Sequence, residues 1–456
     1  LTIEYAAVCP PNTVCNTNDS GPESLRDVVA NASPGDSVKF QIPTPGPYSI
    51  PLLTTIFVNK QLHIDATTQP GYSGTPIIQL DGTGMTSNSA LLFSGSNGSF
   101  RGFVMHSFPN ANVLNVTGSN HVFENNYFGT DTTGTVGIGN SQQALTMSGS
   151  GNVVENNVFA ANATGVNLIG GSNNHIKNNK IGTDVTGTQS LGNTATGVIV
   201  GGSVSGSFIG GTLPGKGNII AYNGGRGVSV TSQSGGNAIL GNSIHSNNAL
   251  GIDLGSDGVT PNDFGDPDQG PNNLQNFPDF FLGRNIGGGQ IHVGGYIDGE
   301  DNQQYRVELF GDSLPDPTGH GEGRNFIAAF NVTASGFGFA DIDTILNYDL
   351  PNGHYLTGTA SKIIVGSPFL ETSEFSFAYE LCPAPNAICK DATVYLNAQG
   401  TVQVDTSDVD NGSTGGCGFS SMDVFPNQFT CADIGNVTVS LGIFDSNEEY
   451  DECTAV

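Results

Sequence analysis

The chain has 456 residues, enough for two to four domains of roughly 100–200 residues each. Charged residues are only 12% and glycines number 65, against usual shares of about 25% and about 7%, while Trp is absent. A formal charge of −28, from 13 basic and 41 acidic side chains, excludes nucleic acid as a partner, because phosphate binding needs clustered Lys and Arg. An anionic membrane surface is disfavoured for the same reason. The abundant Gly, Asn, Ser and Thr suit turns and strands better than helix interiors. Short, evenly spaced clusters of Val, Ile, Leu and Phe supply a core, so the chain is not disordered.

Residues 20–42 predict a short helix leading into a strand. Ser20 and Glu23 have capping-box spacing with Pro22 in the first turn, and Leu25, Val28 and Val29 make one apolar face. Pro34-Gly35-Asp36 then turns the chain into a strand at 38–42. Such a helix is a suitable lid for the open end of a solenoid.

From about residue 90 to 255 the sequence repeats. One series of segments starts at Ala144, Gly165, Gly197, Gly227 and Gly251, spaced 21, 32, 30 and 24 residues apart. A second falls between them, with Phe123, Val154, Ile176 and Ile239 each followed three residues later by an asparagine. Each segment alternates with period 2, so each predicts a short strand with one buried face. Recurrence at this interval is the signature of a solenoid, in which equivalent residues stack. Asn126, Asn157, Asn179 and Asn242 then form a structural ladder at a turn, each amide satisfying backbone in the coil beside it. This architectural role outweighs a sugar-binding one. Gly129–Thr135 and Gly182–Thr188 are matched excursions 53 residues apart, and their Asp and Gly residues suit tight turns better than a ligand site.

Residues 253–272 break the pattern with a run dense in Asp, Gly and Pro that ends the solenoid. Asp253, Asp257, Asp263, Asp266 and Asp268 place five carboxylates within 16 residues. Calcium, with 6–8 oxygen ligands in flexible geometry, is the cofactor this run suggests, against a solvated acidic linker as the bland alternative. Beyond it, 291–298, 305–310, 326–333, 355–365 and 374–379 alternate like strands of a β-sandwich. Residues 382–456 form a last unit with strands near 392–397, 401–404 and 436–444. Seven cysteines lie at the two ends of the chain and match no zinc spacing, which points to local disulfides and an oxidising compartment. No run of about 18 apolar residues exists that would span a membrane as a helix, and no signal peptide opens the chain, so a leader is expected to have been removed.

In these stretches the chain resembles bacterial exported right-handed parallel β-helix surface proteins. The resemblance is carried by N-D-S-G-x-x-S-L-R-x-x-V at 18–29, G-D-x-V-x-F at 35–40 and D-A-T-T-Q-P-G-Y-S-G-T-P at 65–76. It continues through the two G-T-D-x-T-G-T loops, G-I-D-L-G-x-D-G-V-T-x-N-D at 251–263 and G-P-N-x-L-Q-N-F-P at 270–278. G-H-G-E-G at 319–323 and T-S-E-F-S at 372–376 match the sandwich that follows in those proteins. The last unit is similar to the hyalin-repeat-like modules of large Bacteroidetes adhesins. That similarity implies disulfides Cys389–Cys453 and Cys417–Cys431, which leaves Cys9–Cys15 as the local pair and Cys382 over. In such modules the final strand runs on past 453–456, so the chain is expected to be a segment of a longer polypeptide.

The expected fold is all-β: a right-handed parallel β-helix with an N-terminal helical cap, followed by two β-sandwich, Ig-like modules. The expected boundaries are 1–89 for the cap and first coils, 90–272 for the β-helix, 273–381 for the sandwich and 382–456 for the hyalin-repeat-like module. β-Helices often host polysaccharide lyases and hydrolases, so catalytic groups need weighing. His175, Lys177 and Lys180 fall near one turn, with Arg226 and His245 coils away, and the alternation around Ile176 turns His175 and Lys177 to solvent. Glu124 and Glu155 share a column and could pair as two carboxylates, but no tuning partner is evident. No catalytic residue is assigned. Tyr127 and Tyr222 are too few for a sugar-stacking face. The leading expectation is a non-enzymatic structural or adhesive segment of a surface adhesin or appendage, forming homo-oligomers or filaments. Its partners would be other copies or modules of the same surface protein, or extracellular, host or prey glycans. A polysaccharide-active enzyme and a carbohydrate-binding module are the alternatives.

Overall fold

The structure, a computed structural model, describes residues 9–231, 234–364, 366, 370–416, 418–446 and 449–456. Three long parallel sheets wind from Thr13 to Leu254 as a right-handed parallel β-helix. The first sheet has nine strands, among them Ser99–Arg101, Val122–Glu124, Val153–Glu155 and His175–Lys177. The second and third have eight each, exemplified by Gln143–Met147 and Thr164–Leu168 in one and by Tyr127–Phe128 and Val158–Phe159 in the other. Each coil contributes one strand per sheet, so identical positions stack. Phe100, Phe123, Val154, Ile176, Ile209 and Ile239 are consecutive ladder partners in the first sheet, and all are buried. Stacked rings add to this column packing: Phe128 lies 4.6 Å from Phe159, ring over ring.

A helix, Leu25–Asn31, closes the first coil with Leu25, Val28 and Val29 buried. Its cap differs from the spacing-based expectation at Ser20 and Glu23. Ser24 is the N-cap, accepting the Asp27 N–H, and the Asp27 carboxylate in return accepts the Glu23 N–H at 3.1 Å. The reciprocal pattern lies four residues further on because Glu23 takes a left-handed φ of 63°, which ends the preceding turn there.

The coils have three corners, and each carries an amide ladder. Between first and third sheets run Asn126, Asn157, Asn179, Asn218 and Asn242, each N–H donating to the next Oδ1 at 2.9–3.0 Å. Between third and second run Asn140, Asn162, Asn193, Asn223 and Asn247. Between second and first run Asn152, Asn174, Ser207 and Asn237, which hands on to Asn272. Each asparagine rung also returns a hydrogen bond to a carbonyl of the preceding coil, as from Asn157 Nδ2 to Phe123 O at 2.9 Å. Buried turn backbone that no strand could pair is satisfied this way.

Past residue 254 the chain turns to antiparallel sheets of the β-sandwich type. One sheet orders Asn325–Thr333, Gln304–Asp312, Tyr355–Ile363 and Leu370–Thr372, with Tyr379–Glu380 also on Tyr355–Ile363. Another contains Phe339–Leu346, Gln290–Asp298 and Asp279–Gly287. The strand expected at 374–379 is interrupted. Ser373 and Ser376 bond the backbone N–H groups of Ala360 and Gly358 through their hydroxyls, which turns Glu374 out of the ladder. In the last unit Phe419–Phe425, Val439–Asp445 and Tyr450–Ala455 form one sheet, and Thr401–Gln403 pairs with Gln428–Thr430. The strand expected at 392–397 is an irregular stretch without a ladder partner, held by a bond from Ala392 N to Val456 O.

Two compact units result. One holds the solenoid through Asp279, with Tyr296–Asp341 and Thr357–Ala378; the other holds Phe280–Gly295, Ile342–Leu356 and Tyr379–Val456. Disulfides join Cys9 to Cys15 and Cys389 to Cys453. The implied bond from Cys431 is not formed: Cys431 is a free, exposed thiol at the start of a capped turn, its Sγ facing Gly400 O. Cys417, the other half of that expectation, lies outside the described residues. Cys382, which the resemblance leaves over, is disulfide-bonded.

Candidate functional site

The solenoid flank gathers the carboxylates and cations named from the sequence, and pairs them off. Glu124 and Glu155 are direct ladder neighbours on adjacent coils, as their shared column requires. Arg101 bridges Glu124 at 3.2 Å and Asp65 at 2.6 Å, while Lys177 and Lys216 approach Glu155 at 3.3 and 3.7 Å. His175 is half-buried and stacks on Phe208 at 4.8 Å, and burial holds its pKa below the ordinary value. Lys180 stands on the adjoining strand, also half-buried. His245 is pushed down to about 4 by burial and then by the Arg324 charge. Tyr127 is buried, so it offers no sugar-stacking face.

The two excursions are internal turns. Asp131 accepts the Thr133 hydroxyl and the N–H groups of Thr135 and Val136, and Asp184 does the same with Thr186, Thr188 and Gln189. Both carboxylates are fully engaged by their own loops.

The five aspartates separate. Asp253 is buried on the second sheet and ion-paired to Arg226; Asp257 is exposed. Asp263, Asp266 and Asp268 come together, with one oxygen of each within 4.8 Å of the others. Asn276 knits the loop: its N–H donates to Asp266, its Oδ1 accepts the Asp263 N–H, and its Nδ2 reaches Asp263 O and Asp298 O, both at 2.7 Å. Asn262 and Phe277 close the same loop with a reciprocal pair at 2.9 and 3.0 Å.

The far end of the solenoid is sealed by carboxylates. A ladder that donates from each coil to the next ends on unanswered donors, so its final acceptor must come from elsewhere. Glu322 accepts Asn247 N–H at 3.1 Å and Asn247 Nδ2 at 2.8 Å. Glu308, held by Arg306 at 2.8 Å, accepts Gly241 N–H at 2.7 Å. Glu374 accepts Leu254 N–H at 2.8 Å and Thr260 N–H at 2.9 Å. Thr372 completes the plane, its Oγ1 taking the Ile239 N–H and its carbonyl the Asn272 amide. Burial pushes the carboxyls of Glu322 and Glu374 up to about 8 each, and Glu308 moves the same way.

Sequence reasoning found one ladder, short of Asn218, and missed the other two and all three capping glutamates. Asn218 follows an insertion that puts it nine residues after Ile209, where the other rungs follow their column residue by three, so the spacing signal fails there. Glu322 and Glu374 do lie within G-H-G-E-G and T-S-E-F-S, the two sandwich stretches that stand out on resemblance.

Together the triangular coils, stacked amides and sandwich seal define a parallel β-helix protein with appended β-sandwich sheets. The family described as periplasmic copper-binding protein (NosD) matches residues 55–263, which lie within the solenoid and its exit loop. No curated protein matches the chain.

Proposed function

We propose that the chain is a non-enzymatic structural segment of an exported protein, a stiff rod whose end is sealed by its own sandwich, serving a surface adhesin or appendage. The observation that carries this reading is the seal. Three buried carboxylates and Thr372 absorb the donors of the last coil, so binding chemistry is directed at the fold itself. The flank supports it too, since Glu124 and Glu155 are each paired with cations, which disfavours the proton-holding role that one carboxyl of a glycosidase must play. Export fits the disulfides and the periplasmic setting in the description of the matched family. The partners would be further copies or modules of the same protein, or extracellular glycans.

Copper, named in that same description, does not fit the donor chemistry here. Among the described residues two groups could gather three ligands: Cys9, Cys15 and Glu23, whose thiols are joined in a disulfide, and the all-oxygen aspartate trio. Copper prefers imidazole, thiolate and thioether. His63, His106 and His121, within the matched stretch, are each hydrogen-bonded to Ser99, Gln79 and Gly95 respectively.

Imaging the protein on cells or as isolated surface material tests the reading, alongside assays of the purified chain against uronate and neutral polysaccharides. Regular contacts between copies and no turnover are expected. Specific cleavage of any polysaccharide would overturn the proposal.

A further inference from the structure

Three carboxylates with one oxygen of each within 4.8 Å of the others repel unless a positive charge or proton lies among them. Asp266 is 7% exposed, and only one of its oxygens is engaged, accepting Asn276 N–H at 3.0 Å. Asp263 Oδ1 and Asp268 Oδ1 are shut from solvent and receive no hydrogen bond. No Lys or Arg forms an ion pair with any of the three among the described residues. Lys362, the cation whose charge is felt at Asp266, gives its ammonium to Glu300 at 2.5 Å. Asn276 fixes the backbone of Asp263 and the carboxylate of Asp266, and Asn262 ties the loop to Phe277.

We propose that Asp263, Asp266 and Asp268 hold one calcium ion at the exit of the solenoid. The oxygen-only set selects a hard cation. An irregular Gly- and Pro-containing loop suits the flexible 6–8-fold shell of Ca²⁺ better than the strict octahedron of Mg²⁺, with loop carbonyls and water completing it. Asp253 and Asp257 are not part of the site: Arg226 neutralises the first and solvent the second.

The full chain, stripped with EGTA, is titrated with CaCl₂ by calorimetry, and thermal unfolding is followed with and without the ion. One Ca²⁺ per chain and a raised Tm are expected. Asp266→Asn and Asp268→Asn should each weaken binding by about tenfold or more, while exposed Asp257→Asn binds as the parent does. In EGTA both site variants should melt no lower than the parent, because each removes one of the repelling charges, and this separates lost ligation from lost folding. No heat and no Tm shift at about 5 mM calcium, which exceeds the weakest usual range for extracellular sites, would overturn the proposal. Stoichiometric binding unaffected by either variant, or equal affinity for Mg²⁺, would overturn it as well.

Discussion

Glu322 receives both amide donors of Asn247, so a side chain from the sandwich stands where the next asparagine of a ladder would be. An asparagine there would bring donors of its own that need a further coil. A carboxyl group has two acceptor oxygens and at most one proton, so it ends the series with fewer donors than an amide brings. Glu322→Leu should therefore strand two buried donors and lower the stability of the solenoid by about 3 kcal/mol. Glu322→Gln keeps one acceptor and should lose only about 1 kcal/mol. Urea unfolding measures both, and amide exchange at Asn247 should quicken in the Leu variant.

The same carboxyls make stability depend on pH in a definite direction. Glu322 and Glu374 have folded-state pKa values near 8, well above the ordinary 4.5, so between those limits the folded chain binds more protons than the unfolded one. Stability therefore falls as pH rises from about 5 to about 8, at up to about 1.4 kcal/mol per pH unit for each group, and levels off above. The sign reverses in strong acid. There the hydrogen bonds from Thr186, Gln189 and Thr188, which outweigh burial and hold Asp184 below its ordinary range, are lost on protonation. Urea midpoints across this range check the slope, and the paired Glu322→Gln and Glu374→Gln substitutions should flatten it.

Neighbouring asparagines in one turn separate the architectural amide from its bystander. Asn157 is buried, accepts from Asn126 and donates to Asn179 and Phe123, whereas Asn156 is exposed with a φ of 59°. Asn157→Ala breaks two coils' worth of pairing and should cost about 3 kcal/mol. Asn156→Ala should cost about 1 kcal/mol from its left-handed backbone alone, and Asn156→Gly should be close to neutral. Equal losses at the two positions in denaturant titrations would contradict the ladder assignment.

The solenoid was legible because its physics is periodic: Phe123, Val154, Ile176 and Ile239 announce one inward column through spacing alone. The cap was not, since Glu308, Glu322 and Glu374 act across 67 to 120 residues of sequence on donors that only a finished coil exposes. The acidic run was half legible. Composition marks the density of Asp253 to Asp268, but only folding decides that Arg226 takes Asp253 and that the last three meet. The strand expected at 374–379 fails for a related reason, as Glu374 leaves its sheet to bond Leu254 and Thr260.

The cysteines offer a test confined to the terminal unit. Cys389 and Cys453 close a loop of 64 residues, and Ala455 and Leu441 of the small core lie beside that closure. Chain-entropy reasoning gives such a cross-link about 4 kcal/mol of stabilisation. The core it secures is modest, built from residues such as Val404, Val409, Val424, Val439, Leu441 and Ala455, so the bond is a large share of what holds the unit. Cys389→Ser/Cys453→Ser should therefore make 382–456 open to protease while the solenoid, with its continuous interior and sealed end, stays resistant. Limited proteolysis with mass spectrometry reads both outcomes in one experiment. The same spectra, taken after treatment with a maleimide and no reductant, should show Cys431 labelled, because its thiol is free and exposed. A protected Cys431 would mean that the pairing in this unit differs from the one described, and simultaneous digestion of the solenoid would mean that its stability depends on the terminal bond.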